Sequence, residues 1–413
     1  MSIGLGKQRI LAADLPMRRH TTKSVRLSFS SASWTWQPHK AELKLSPTGT
    51  GAAARWVTLA PLLLLCAVRL PGETLDDKGW ALAVPGYAFS FPRDYGPHNN
   101  FRTEWWYFTG NLESREGREF GYEVAFFRYG YRPPDKLARS RFVMNDLKFA
   151  HFAVTDLGTG RFRFDSRTSR GAYGEAGFGQ KERLAWINGW EVSFDGNFKL
   201  KASTQDYQVD LVLAPERPPV LQGKNGLSQK SDGIGHASYY YSITRLATSG
   251  VIQIGDESYQ VSGLSWFDRE WATNQLGSNQ VGWNWFAIQL SDGSDLMLYQ
   301  MRLNDGEVDP NSSGTWISPS GVTEPLLRDD FQLQPEAFWE SPASKGKYPI
   351  AWHLKIPKLN LDLHVTTPAK DQELRVGVAY WEGCIRLAGE LAGKPVNGVG
   401  YMELTGYAGA TLR

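Results

Sequence analysis

The chain is poor in the residues that build stapled or metal-bound folds. Its 413 residues include two cysteines, Cys66 and Cys384, and seven histidines. Two thiols, one of them in an apolar run ahead of the patterned chain, make no disulfide framework. A chain this long buries enough surface without one, so their scarcity excludes neither export nor a stable fold. No His-x-x-x-His or paired Cys/His spacing marks a zinc centre, and the expectation is a protein with no metal and no cofactor. There is no Gly-x-Ser-x-Gly elbow, no Walker loop and no Gly-x-Gly-x-x-Gly after a strand. Serine hydrolases, P-loop NTPases and dinucleotide dehydrogenases therefore lack support. Net charge is also missing: 45 basic residues against 43 acidic leave +2. Nucleic acid needs a clustered basic face, so it is not an expected partner.

Aromatic residues are abundant. They make up 13% of the chain, with 16 Trp, 17 Tyr and 20 Phe, and 42 glycines punctuate them. Aromatic segments broken by glycine turns describe an all-β protein better than a helical one. Two explanations of the rings stay open: a large ordinary core, or a barrel lined for an apolar guest.

The front of the chain divides at residue 54. Residues 1–54 have little hydrophobic period and read as disordered or as an over-extended start. Residues 55–83 read as a signal region and linker. Within them the uncharged run Trp56–Val68 (WVTLAPLLLLCAV) lies between Arg55 and Arg69. As a helix it would rise about 20 Å, short of a bilayer core of about 30 Å, which suits a signal h-region; a short buried helix is the alternative. Leu63–Cys66 is close to a lipoprotein box but lacks the small residue before its cysteine. Ala81–Ala83 would fit ordinary signal cleavage. The expected location is secreted, periplasmic or at the cell envelope, with membrane association through the signal or a lipid anchor at Cys66.

From residue 84 onward, short strands follow one another: Glu104–Leu112, Phe120–Tyr129, Phe149–Asp156, Trp190–Phe194 and Tyr207–Ala214, among others. After the polar, Gly-rich stretch 215–235 the series resumes at His236, and it runs on to hairpins around 291–294, 357–358 and in the C-terminal 377–406. Such spacing predicts a meander closing into barrels, in two lobes at 84–245 and 246–413. Residues 130–148 and 168–188 are the helix or lid candidates.

Three clusters carry chemistry. In Arg102–Tyr107, strand alternation puts Glu104, Trp106 and Phe108 on one face and Trp105 and Tyr107 on the other. A carboxylate among rings must be paired, or neutral with a raised pKa; an ion pair with Arg102, Arg128 or Arg269 competes with a catalytic role. In Trp266–Trp271, the residues Trp266, Asp268 and Glu270 share a face. One acid of such a pair can keep a proton near neutral pH, as a general acid must; an ion-pair network through Arg269 is the alternative. His236, ahead of Tyr239, Tyr240 and Tyr241, reads either as a proton relay or as a rim histidine.

Taken in order, these runs resemble the AttH and hydroxyneurosporene-synthase-like family. So do Phe91–His98, Phe101–Gly110, Gly282–Phe286, Tyr380–Gly383 and Gly398–Tyr407. The resemblance covers about residues 85–410. It implies two tandem lipocalin-like barrels, usually exported. The carotenoid 1,2-hydratases of this family protonate a terminal double bond and add water, with no metal or nucleotide. Carried over, Asp268 corresponds to the proton donor and His236 to an assisting histidine, with Glu270 and Glu104 as further acids. Trp106, Tyr107, Tyr240, Trp266, Trp271, Trp283, Trp285 and Trp381 are the expected substrate-binding rings. The run Trp-Phe-Asp-Arg-Glu-Trp at 266–271 looks like the secreted AttH-type group more than the carotenoid-pathway enzymes. The leading expectation is an enzyme hydrating a long apolar, isoprenoid- or polyene-like molecule. The alternatives are a non-catalytic carrier of lipid or another hydrophobic ligand, and a structural envelope protein whose Trp motifs only pack its lobes.

Overall fold

The computed structural model describes residues 73–409, except 141 and 181. The run 56–68, Cys66 and the whole segment 1–54 lie outside the described residues. Among those described there is no α-helix, only short 3-10 turns such as Arg93–Tyr95 and Pro134–Lys136. None of them is long and apolar enough to cross a membrane. The helix or lid candidates are instead loops and short strands, including Ala176–Phe178 and Ala185–Ile187.

The strands form two antiparallel sheets, of 13 and 10 strands. The first is a nearly closed barrel and the second a half-barrel, in the lipocalin-like manner. The sequence explains where the sheets meet. Outer strands alternate cleanly: in Tyr207–Pro215 buried and exposed residues take turns, with Tyr207, Val209, Leu211 and Leu213 inward. By contrast Thr103–Ser114, Glu119–Gly130, Gln280–Leu290 and Asp295–Leu303 are rich in apolar and aromatic residues and buried along most of their length, as is the second half of Glu257–Ala272. A strand buried on both faces has no need of a polar one. Their inner faces build the two barrel cores, around Phe108, Val124 and Phe267 in one and Phe286, Leu298 and Trp381 in the other. Their outer faces meet each other, with Tyr107, Tyr240 and Trp266 of the first sheet against Trp285, Met297, Tyr299 and Tyr401 of the second.

Polar clamps fix this contact. Asp295 of the second sheet takes Arg245 at 2.8 Å, Arg217 at 2.9 Å and the Thr244 hydroxyl at 2.7 Å. Gly121 allows the closest approach, since a Cβ there would stand 2.9 Å from Cys384 Sγ.

The first sheet runs further along the chain than the lobe boundary at 245/246. Ala237–Ile254 crosses that point, and Glu257–Ala272 pairs with Thr103–Ser114 along its length. The change of sheet falls in residues 273–279. By that pairing strand 257–272 joins the first four strands to the rest of the first sheet. At the other end, Trp80, Ala81 and Ala83 are buried. Trp80 fills the space over Gly130, and Thr273 Oγ1 donates to the Ala81 carbonyl at 2.6 Å. Ala81 and Ala83 thus pack as part of the folded body.

Candidate active site

A cavity of about 190 Å³ lies where the outer faces of the sheets meet. It is therefore between the barrels and not inside either one. Its walls are rings and aliphatic carbon from both sheets, including Trp105, Tyr107 and Phe127 on one side and Trp283, Trp285 and Met301 on the other.

Asp268 is the best-defined acid in the wall. Strand Glu257–Ala272 turns Trp266, Asp268 and Glu270 outward while Phe267 and Trp271 enter the first core. Three donors meet the carboxyl: Tyr240 Oη at 2.6 Å, Ser242 Oγ at 2.5 Å and Trp266 Nε1 at 2.7 Å. Burial outweighs them. With the neighbouring Glu270 charge adding to the effect, the carboxyl is pushed up to about 7. Trp285 Nε1 donates to Tyr240 Oη at 3.2 Å, which ties the second sheet into the same network.

Glu270 accepts from Ser238 Oγ and lies 3.3 Å from Lys230 Nζ. Burial works against the lysine's charge, but Glu270 and the Tyr299 ring outweigh it and hold the ammonium above its ordinary value. The amine stands 3.9 Å from the centre of the Tyr299 ring.

The opposite wall holds neutral acids. Burial pushes Glu403 up to about 8, with Glu270 and Asp268 adding and the Trp283 indole opposing. Burial also drives Glu382 and its neighbour Glu123 well above the carboxylate range, and Glu403 adds to both. Glu382 accepts from Tyr107 Oη through Oε1, while its Oε2 has no protein partner. Beyond them the burial of His151 lowers its ring to about 3, so it is a neutral acceptor or donor to Tyr380 Oη at 2.7 Å.

Several expected residues turn their side chains to other partners, among them Glu104, which borders the cavity. The Glu104 carboxyl points into the first barrel, where Arg128 Nε lies 2.5 Å away, Arg269 adds a second guanidinium, and the His98 amide donates at 2.9 Å. Burial opposes this charge, but the two guanidiniums win and hold the carboxyl well below its usual range. It is a structural ion pair. Trp106 is fully buried with Arg269 stacked 3.6 Å over it, Trp271 stacks on His98 at 3.7 Å, and Trp381 belongs to the second core. None of these three rings lines the cavity. The reason is alternation: their neighbours Trp105, Glu270, Tyr380 and Glu382 take the cavity face instead. His236 lines an adjoining depression with Arg102 and Asn274, which shares Thr103, Tyr129, Gln275 and Leu276 with the cavity but does not include Asp268. Tyr107, Tyr240, Trp283 and Trp285 do line the cavity, and Trp266 supports it through Asp268.

Sequence reasoning missed Lys230, Glu382, Glu403, Tyr299 and Tyr380. The two glutamates and Tyr380 could have been found by applying strand alternation to the motifs that contain them. Metal-ligating residues also come together, away from the cavity, at His353, Asp362 and His364.

Two lipocalin-like sheets meeting around a ring-walled pocket that carries several buried acids define the class of fold. Comparison with known proteins gives the family: the AttH-like model matches residues 82–407, and the chain belongs to that family. An AttH-like crystal structure from Nitrosomonas europaea superimposes with a TM-score of 0.72 at 34% identity, covering 79% of this chain and 99% of that one. Kievitone hydratase from Nectria haematococca shares the fold, with a TM-score of 0.61 at 14% identity over 80% of this chain and 95% of its own. Among curated proteins, the dehydratase asqC of Emericella nidulans is 22% identical over 280 residues, which is 61% of this chain and 75% of the relative.

Proposed function

We propose that the protein is a hydro-lyase that adds water to, or removes it from, a carbon–carbon double bond in the cavity between the sheets, with Asp268 as general acid. The observation that carries this is a buried carboxyl, pushed up to about 7 by its burial, in the wall of a ring-lined cavity. In hydration, the Asp268 proton goes to one alkene carbon and the π electrons form that C–H bond. The cation left on the other carbon lies among Trp105, Tyr240 and Trp285, whose faces contribute ~0.5–2 kcal/mol each. Water then adds its oxygen, and its spare proton returns to the Asp268 carboxylate. In dehydration the Asp268 proton goes to the hydroxyl, which leaves as water, and the Asp268 carboxylate then takes a proton from the adjacent carbon, whose C–H electrons form the double bond. The dehydratase relative supports this class of reaction.

The walls also restrict the substrate. A pure hydrocarbon would leave the free oxygen of Glu382 without a partner, at about 1–3 kcal/mol. The substrate class that fits has an apolar body and at least one oxygen function. Its reacting segment is short, because the cavity of about 190 Å³ is below the ~300–1,000 Å³ of pockets that enclose a whole drug-sized ligand.

The test needs no named substrate. Apolar extract from the native host is incubated with enzyme in H₂¹⁸O, and products are read by mass spectrometry. Wild type should add or exchange one ¹⁸O; Asp268→Asn should lose about 10²–10⁴-fold in rate with an unchanged circular dichroism spectrum. Equal labelling by the variant would overturn the assignment.

A further inference from the structure

The open end of the second sheet carries a cluster that the cavity does not use. Gln332–Glu340 is the edge strand there, followed inward by Lys347–Ile356 and Leu361–Thr366. His353 stands directly opposite His364 in the register. Their rings stack with centroids 4.5 Å apart and planes 9° from parallel. Asp362 precedes His364 by two residues, so alternation puts both on one face of the sheet. Its Oδ1 lies 2.5 Å from His353 Nε2. One ligand atom from each of the three side chains falls within 4.8 Å of the other two.

Two imidazoles and a carboxylate are a zinc donor set rather than a magnesium or calcium one, since hard cations take oxygen alone. Zinc holds nitrogen and oxygen at about 2.0–2.2 Å, which sets tetrahedral ligands about 3.3 Å apart. Side-chain rotation alone closes that difference here, because all three side chains reach solvent. Glu336, from the edge strand, accepts from His364 Nδ1 at 3.0 Å, as an outer carboxylate does when it orients a metal-bound ring. Lys355 Nζ, 3.0 Å from Asp362 Oδ2, engages the other oxygen of that carboxylate than the one beside His353.

We propose that His353, Asp362 and His364 bind one zinc ion, with water as the fourth ligand, and that Glu336 thereby fastens the edge strand of the half-barrel. An unpaired edge is the part of a sheet most in need of such a fastening. The proposal is independent of the reaction assigned to the cavity.

Zinc sulfate is titrated calorimetrically into the full chain, with magnesium chloride as the control. One zinc per chain should bind to the wild type and none to His353→Ala/His364→Ala, while Glu336→Gln should weaken binding about 10-fold or more. Zinc should also raise the melting temperature of the wild type but not of the double variant. His364→Gln serves in place of the double variant should that fail to fold. Absence of saturable zinc binding, or binding of unchanged strength in these variants, would overturn the site, as would equal binding of magnesium.

Discussion

Replacing Asp268 by asparagine should abolish turnover and, at alkaline pH, stabilise the protein. Burial pushes the carboxyl up to about 7 in the fold, against 3.8 for a free aspartate side chain. Between those values the folded state binds more protons than the unfolded one, so stability falls as pH rises. The contribution is intact below 3.8 and fully lost above 7. A shift of about three units at ~1.36 kcal/mol each gives an upper bound of about 4 kcal/mol. Asparagine is neutral at every pH and escapes this cost. It does place an NH₂ where Tyr240, Ser242 and Trp266 all donate to oxygen, and one mismatched hydrogen bond costs about 1 kcal/mol. The net expectation is a variant more stable by about 2–3 kcal/mol at pH 8 and slightly less stable than wild type at pH 4. Urea unfolding at both values, with the m-value checked for constancy, measures the difference. A gap between variant and wild type that did not change with pH would show that Asp268 ionises as easily in the fold as out of it, and the general-acid assignment would fall with it.

Tyr240→Phe removes a donor from the ionised form of Asp268, so the alkaline limb of the pH–rate profile should move upward and the rate should drop; an unmoved limb would place the titrating acid elsewhere. Glu104→Gln leaves the guanidiniums of Arg128 and Arg269 buried without their countercharge, and should destabilise the fold by about 3–5 kcal/mol in denaturant titrations while leaving the pH of half-maximal rate unchanged. His236→Ala should keep full ¹⁸O incorporation; a large loss there would restore the relay read from the sequence. The apolar run 56–68 predicts that the native protein fractionates with the cell envelope or the secreted pool, and recovery of full-length chain in the cytosol would contradict it.

The strands were legible because aromatic runs broken by glycine leave few other options. Their partners were not: Thr103–Ser114 pairs with Glu257–Ala272 across some 150 residues, and no local pattern reports that register. The same limit explains the site. Alternation says which residues share a face, and it correctly groups Trp266, Asp268 and Glu270. It does not say which face meets which neighbour when both are buried. Trp106 is therefore grouped with the site but packs in the first core, whereas Trp105 and Tyr107, on the opposite face, line the cavity, and Glu104 borders it with its carboxyl turned to Arg128 and Arg269. Lys230 lies in an irregular segment with no period to read. The histidine cluster was within reach, since a hairpin centred near Pro357 and Lys358 brings residues 353 and 364 opposite each other, but spacing along one strand does not reveal ligands that face each other across two.

A site between two sheets differs in kind from one inside a barrel. Here the acid's proton affinity depends on how tightly two separately built cores press their outer faces together. The Asp295 clamp and the Gly121–Cys384 approach hold that contact, yet neither touches the cavity. A side chain added at Gly121 would push the sheets apart and admit water to the interface. Asp268 would then ionise more readily, and the acid would weaken without any change in its own hydrogen bonds. Chemistry in this fold is in that sense a property of the packing between the sheets as much as of any residue in the wall.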